Sequence, residues 1–169
     1  MKKIYAILFT FMYVFNNTKL VNAQENINIY YLENTFEEQI AFDEYIILGN
    51  FEDEYKIKLI LDTYFYNSKK NINYIPKGAK VLDIKIINNS LVINFNKNIE
   101  NYGGNSYETN FIRQILHTCF QFENIENVTF LIEGKIKFLP EGNLVFMYTR
   151  EDLEMLDYNQ NIHLKEKSF

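Results

Sequence analysis

Apolar positions along this chain follow two rhythms, one of two residues and one of three to four, and their order outlines a fold. Ile27-Asn28-Ile29-Tyr30-Tyr31-Leu32 reads as a first strand and Ile40 to Leu48 as a second, closed by the turn residues Gly49-Asn50. Glu52-Asp53-Glu54 then put negative charge where a helix begins, against the positive end of its dipole. Behind them Ile57, Ile60, Leu61, Tyr64 and Phe65 form one apolar helical stripe, and Tyr66-Asn67-Ser68 ends it. Ile75-Pro76-Lys77-Gly78 is a turn. Leu82, Ile84 and Ile86 next alternate with Asp83 and Lys85, which predicts a half-buried strand facing the core through Leu82, Ile84 and Ile86. Asn88-Asn89-Ser90 reverses the chain, and Leu91, Ile93 and Phe95 resume the alternation, completing a hairpin. After the loop Tyr102-Gly103-Gly104-Asn105-Ser106, a second helix repeats the stripe with Ile112, Ile115, Leu116, Cys119 and Phe120. Val128, Phe130 and Ile132 are the inward face of a last strand, stopped by Gly134.

The order strand, strand, helix, hairpin, helix, strand predicts an α+β fold. Two single-striped helices bury their faces by lying side by side on one face of a mixed β-sheet, a two-layer sandwich over about residues 26–140. Residues 141–169 form an extension in which the pattern marks only a strand at Leu144 to Tyr148 and an acidic helical turn at Glu151 to Leu156.

The first 23 residues read differently. Lys2 and Lys3 precede the uncharged, almost wholly apolar run Ile4 to Phe15, and Val21-Asn22-Ala23 closes a more polar stretch, the layout of a secretory signal. The run falls well short of the ~20 residues that span a bilayer core. Export with cleavage after Ala23 is the expectation, an uncleaved anchor the alternative. No cysteine near that point offers a site for a lipid.

Removing this segment takes away three lysines and no acid, so the remainder is more acidic than the whole chain at −5. Without a Lys/Arg cluster, that balance argues against nucleic acid, and against anionic lipid headgroups as general partners. With 13 Tyr and 15 Phe the chain can build a core, which excludes disorder. The single Cys119 has no partner for a disulfide within the chain, so stability must come from packing. The 23 Asn accompany abundant Ile, Lys and Tyr and scarce Gly, Pro and Ala; the bias is that of an AT-rich bacterial genome and carries no chemistry.

His117 and Cys119 invite a base–nucleophile reading, but two residues apart on a helix they point roughly 200° away from each other. Cys119 lies on the apolar stripe and reads as a buried thiol, and His117 lies off it. His163 has no evident partner, and His and Cys are too few for zinc. The carboxylates Glu37-Glu38, Asp43-Glu44, Glu52-Asp53-Glu54 and Glu151-Asp152 with Glu154 read as solvated faces and helix starts. Gly103-Gly104 lacks a phosphate-cradling pattern. No catalytic residue, cofactor or metal is therefore assigned. Tyr30, Tyr45, Tyr55, Tyr102 and Tyr107 do not all fit within the two stripes, and tyrosine suits recognition surfaces. Of these, Tyr30, Tyr45, Tyr102 and Tyr107 are the candidate interaction surface.

Ile75-Pro76-Lys77-Gly78-Ala79-Lys80-Val81-Leu82, followed by a hairpin ending Leu91-Val92-Ile93-Asn94-Phe95, resembles the GerMN (sporulation and spore germination) domain family. That family has Ile-Pro-x-Gly-Thr-x-Leu-Leu before a hairpin ending in Val-Asp-Phe. Gln114 to Phe122 is similar to its second helix, and Val128 to Gly134 to its Val-x-Ile-x-Ile-Glu-Gly strand. Three departures stand out: the Leu-Leu-x-Gly-Pro end of the first helix is missing, Asn94 stands where Asp is common, and Asp43-Glu44-Tyr45 replaces an Arg-rich strand.

The resemblance implies an exported module of a spore-forming bacterium, similar in fold to ring-building domains and without assigned catalytic residues. The expected function is a non-catalytic interaction module in sporulation or germination, with envelope or sporulation-complex proteins as partners. Oligomerisation is compatible with that expectation. A cell-wall (peptidoglycan or polysaccharide) binding domain is the alternative, and a hydrolase using the acidic pairs a third reading.

Overall fold

The computed structural model describes residues 24–32, 40–48, 51–66 and 74–167. The signal segment, the turn at Gly49-Asn50, the Glu37-Glu38 pair and the Asn67-Ser68 stop lie outside the described residues. Strands β1 (Gln24–Leu32) and β2 (Ile40–Leu48) pair antiparallel as a two-stranded ladder of their own, with Gln24 opposite Leu48. Strands β3 (Val81–Ile87), β4 (Ser90–Phe95) and β5 (Asn127–Ile132) form a mixed sheet in that order, antiparallel at β3–β4 and parallel at β4–β5. Helices α1 (Asp53–Tyr66) and α2 (Asn105–Phe120) are the two that the stripes predict. A third, α3 (Arg150–Lys167), replaces the short acidic turn expected in the extension. The fold is α+β.

The hairpin turns on Asn88 and Asn89, with φ of 48° and 64°. Two consecutive left-handed residues make the two-residue turn whose twist matches the strands, and asparagine tolerates that backbone better than most residues. Strand β3 departs from simple alternation. Val81 lies opposite Phe95 but Asp83 lies opposite Asn94, so Leu82 is an extra, bulged residue. Val81 takes the inward place and Leu82 turns outward, 47% exposed. The expectation that Leu82 faces the core is corrected by the bulge, which shifts the period of two by one residue.

Phe95 sets the core. It is fully buried, and its ring lies 5.9 Å from Phe65 of α1, 6.2 Å from Phe111 of α2 and 5.2 Å from Phe130 of β5. Both helices therefore meet the same face of the sheet through one side chain. Ile57, Ile60 and Leu61 from the first stripe, and all five members of the second, are buried around it.

The sheet's edges are managed by contacts from distant sequence. Val145 O accepts from Phe130 N, and Val128 and Tyr148 exchange both backbone hydrogen bonds, so residues 145–148 run along the outer edge of β5. On β3 the Glu54 carboxylate accepts from Ile86 N at 2.6 Å, and the bulge and exposed Asp83 and Lys85 further blunt that edge. The edge of β1 is met by the Gln121 side-chain amide, which accepts from Asn28 N and donates to Asn28 O, each at 2.8 Å.

Phe95→Ala should cost about 3–5 kcal/mol of unfolding free energy, because the cavity would be lined by three elements that cannot all collapse into it. Urea unfolding monitored by circular dichroism checks this. A loss below about 1 kcal/mol would mean that the helices do not depend on this ring.

Candidate functional site

Helix α2 is the place where buried polar chemistry gathers. A surface helix shows water one face, but here Phe111 to Leu116 are buried without a break, together with Glu108, Asn110, Thr118, Cys119 and Phe120. Phe111 packs against Phe95 and Phe130 of the sheet, and β1 covers a second side and α3 a third. Every polar side chain so enclosed needs a partner, since a buried group without one costs roughly 1–3 kcal/mol.

At the N-terminal end, Glu108 is wholly buried in the first turn. Its Oε2 accepts from the Tyr102 hydroxyl at 2.6 Å and from Glu141 N at 2.8 Å, and its Oε1 accepts from Asn143 N and Asn143 Nδ2 at 3.0 and 2.7 Å. Four donors and the helix dipole replace water around the charge. The Glu141 carboxylate accepts from Gly104 N at 2.7 Å, satisfying a donor at the helix start.

Above this anchor stand the tyrosines. Tyr102 and Tyr107 stack with ring centres 5.0 Å apart and planes 16° from parallel, and Tyr74 meets Tyr107 edge-on at 5.2 Å. All three are half-buried. Burial, and behind it the Glu108 hydrogen bond and charge, push the Tyr102 hydroxyl well above the usual phenol range, so it stays a donor. Burial also raises Tyr107. The array is rigid: its hydroxyl is fixed by a buried carboxylate and its rings by one another.

At the other end, the Arg113 guanidinium is 5% exposed, donating to Asn110 Oδ1 at 3.1 Å and from Nε to Asp157 Oδ1 at 2.8 Å. His117 Nε2 lies 3.0 Å from Asp157 Oδ2, and its ring packs 5.4 Å from that of Tyr30. Burial works to raise the Asp157 carboxyl, but the hydrogen bonds and charges of His117 and Arg113 outweigh it and hold the group below the usual carboxylate range. Arg150 closes the helix, donating to the carbonyls of Phe120, Phe122 and Ile125 and lying 5.0 Å over the Phe120 ring.

The structure thus brings two of the four candidate tyrosines together and separates the others. Tyr102 and Tyr107 share one stack. Tyr30 sits at the opposite end of α2, and Tyr45 pairs with Ile27 in the β1–β2 ladder, its side chain outside the described residues. Tyr55, the fifth tyrosine noted in the sequence, is exposed and touches Phe51, with ring centres 5.0 Å apart. His117 and Cys119 are parted as their spacing requires: the thiol is wholly buried, which raises it far above its ordinary value, while the imidazole faces Asp157. The side chain of His163 also lies outside the described residues.

Sequence reasoning missed Glu108, Arg113 and Asp157. Glu108 carried a signal, because it lies four residues before Ile112 and so on the core stripe itself, where a carboxylate needs dedicated donors. Asp157 carried none.

A family model described as sporulation and spore germination, Germane, matches residues 28–137. The chain belongs to this family. No curated protein sequence matches it. Among solved structures, this Germane domain is similar to a candidate lipoprotein from Clostridium perfringens at 17% identity and TM-score 0.54, over 78% of this chain and 91% of that one. It is similar to the first GerMN domain of the sporulation protein GerM from Bacillus subtilis at 17% identity and TM-score 0.57, over 76% and 99%. It also matches the tandem GerMN domains of GerM at 16% and 0.58, spanning 77% of this chain and about half (48%) of the tandem. At such identities the likeness is one of fold. Glu141, Arg150 and Asp157, which hold α2, all lie beyond the matched residues. Among the described residues, no helix of the Germane domain is long and apolar enough to cross a membrane.

Glu108→Gln, nearly isosteric, should destabilise the domain by about 2–4 kcal/mol, because an amide NH2 would face donors that now meet a carboxylate oxygen. Equilibrium unfolding tests this, and a change within about 0.5 kcal/mol would show the four hydrogen bonds to be dispensable. Asp157 has a folded value below its unfolded one near ~3.9, so its contribution is complete above that value and is lost as pH falls through the lowered one. Asp157→Asn should cost about 1–3 kcal/mol near neutrality by leaving Arg113 without its carboxylate, and should flatten the fall in thermal midpoint between about pH 5 and pH 2. Parallel pH profiles for variant and parent would contradict this.

Proposed function

We propose that this Germane domain is a non-catalytic extracytoplasmic interaction module acting in sporulation or germination, which recognises an envelope or sporulation-complex protein through its tyrosine face. The observation that carries this reading is the Tyr74–Tyr107–Tyr102 stack. It offers rigid aromatic area with little conformational entropy left to lose on binding, and the Tyr102 hydroxyl is already committed to Glu108. The titratable groups placed around α2 serve the fold: Glu108, Arg113 and Asp157 hold segments together and His117 shares the same carboxylate. Family membership, a sporulation protein and a candidate lipoprotein among the similar folds, and the signal-like first 23 residues support an exported role.

The same stack favours one second reading, a cell-wall sugar lying against the tyrosine faces. A fluorescent fusion followed through sporulation should concentrate at the forespore envelope, and Tyr107→Ala should disperse it while leaving the circular dichroism spectrum unchanged. Synthesis confined to vegetative growth, with normal spore yield and germination in a deletion strain, would remove the proposal. Retention of the protein on purified cell wall, lost in Tyr107→Ala, would move the assignment to the sugar reading.

A further inference from the structure

Beyond the edge of β5 the chain makes an excursion that exposes four large apolar side chains. After the bridge between Ile132 and Lys135 it runs out through Ile136 and Phe138, turns where Leu139 N donates to Asn143 O, and returns through Phe146 and Met147. Ile136, Phe138, Phe146 and Met147 are 51, 67, 48 and 52% exposed, whereas Leu139 and Val145 are buried and pin both arms to the core. Met147 holds a left-handed φ of 53°, fixed by its N–H donating to Thr129 Oγ1 at 3.0 Å, so this apolar side chain is displayed to solvent from an unfavourable backbone. Large apolar side chains grouped this way mark a contact surface.

The charges on this excursion are opposite to those of the chain. Overall the protein carries −5, but the residues interleaved with Ile136 and Phe138 are Lys135 and Lys137, and neither is ion-paired within the described residues. The nearby acids Glu133 and Glu141 are exposed, and each has one carboxylate oxygen bonded to a backbone N–H: Glu133 Oε1 accepts from Lys97 N and Glu141 Oε1 from Gly104 N. A net acidic chain gains nothing from a negative surface in general, whereas residues 135–147 carry two lysines and a single acid, Glu141.

We propose that residues 135–147 dock the domain on an anionic lipid bilayer. Phe138, Ile136, Phe146 and Met147 enter the boundary between headgroups and acyl chains, and Lys135 and Lys137 meet the phosphates. Shallow insertion of apolar side chains beside lysines is the combination that interfacial binding uses. The buried Leu139 and Val145 keep the loop from folding back, so its apolar tips need not be withdrawn from a core to bind.

The chain has no tryptophan, so one introduced at a chosen site reports that site alone, whatever the N-terminal segment does. With full-length protein, Phe138→Trp should shift its emission to the blue when phosphatidylglycerol vesicles are added, and brominated acyl chains should quench it. Leu82→Trp, on the opposite edge of the sheet, should respond to neither. Adding Lys135→Glu and Lys137→Glu to the Phe138→Trp variant should raise the lipid concentration at half-effect by at least about tenfold. An unmoved Phe138→Trp signal overturns the proposal, and so does an equal response from Leu82→Trp or an equal response to pure phosphatidylcholine vesicles. A blue shift that grows with protein concentration in the absence of vesicles also overturns it, and assigns the face to a second copy of the chain.

Discussion

The enclosure of helix α2 is the constraint on which the rest of this structure depends. Once the sheet, the β1–β2 ladder and α3 surround one helix, its buried polar groups cannot rely on water, and each must be answered by the protein. The answers come from far along the chain. Glu141 and Arg150 occupy the two ends, Asn143 and the Tyr102 hydroxyl surround Glu108, Asp157 meets Arg113, and the Gln121 amide reaches β1. Four of these bonds cross more than thirty positions in sequence, so the region around helix α2 ties together distant parts of the chain.

This explains why the C-terminal segment matters to a fold whose family pattern ends before it. Residues 145–148 cover the edge of β5, and residues from Glu141 to Asp157 supply the charges that helix α2 lacks. The segment works as part of the domain's interior rather than as an appendage. It also leaves the surface with two chemically distinct faces, a tyrosine stack over the start of α2 and an apolar, lysine-bearing loop beyond β5. Both faces are tied to the core, the stack through the Tyr102 hydroxyl on Glu108 and the loop through buried Leu139 and Val145.

Cys119 is buried and His117 shares an ion-pair network, whereas the acidic residues Glu52, Glu54, Glu151 and Glu154 are exposed. Groups held this firmly by structural partners stabilise the fold, while rigid aromatic area on a fixed support is suited to binding. The buried charges hold the segments around α2 in place.

Elements whose causes are local are legible in the amino-acid pattern. Ile57, Ile60 and Leu61 of the first stripe, the stripe from Ile112 to Phe120, the Asn88-Asn89 reversal and the alternation of Leu91, Ile93 and Phe95 all recur in the fold, because helix period, turn chemistry and strand period act over a few residues. The family likeness in Ile75 to Leu82 and Gln114 to Phe122 was legible for the same reason. Only the tertiary structure decided that Leu82 is bulged out, since a bulge is defined by the partner strand. It alone decided that Tyr102 and Tyr107 stack while Tyr30 lies elsewhere, and that Asp157 neutralises a buried Arg113 across 44 positions. No periodicity within a strand or helix encodes which distant segment will close the open sides of α2, because that choice is made by packing after the local elements exist.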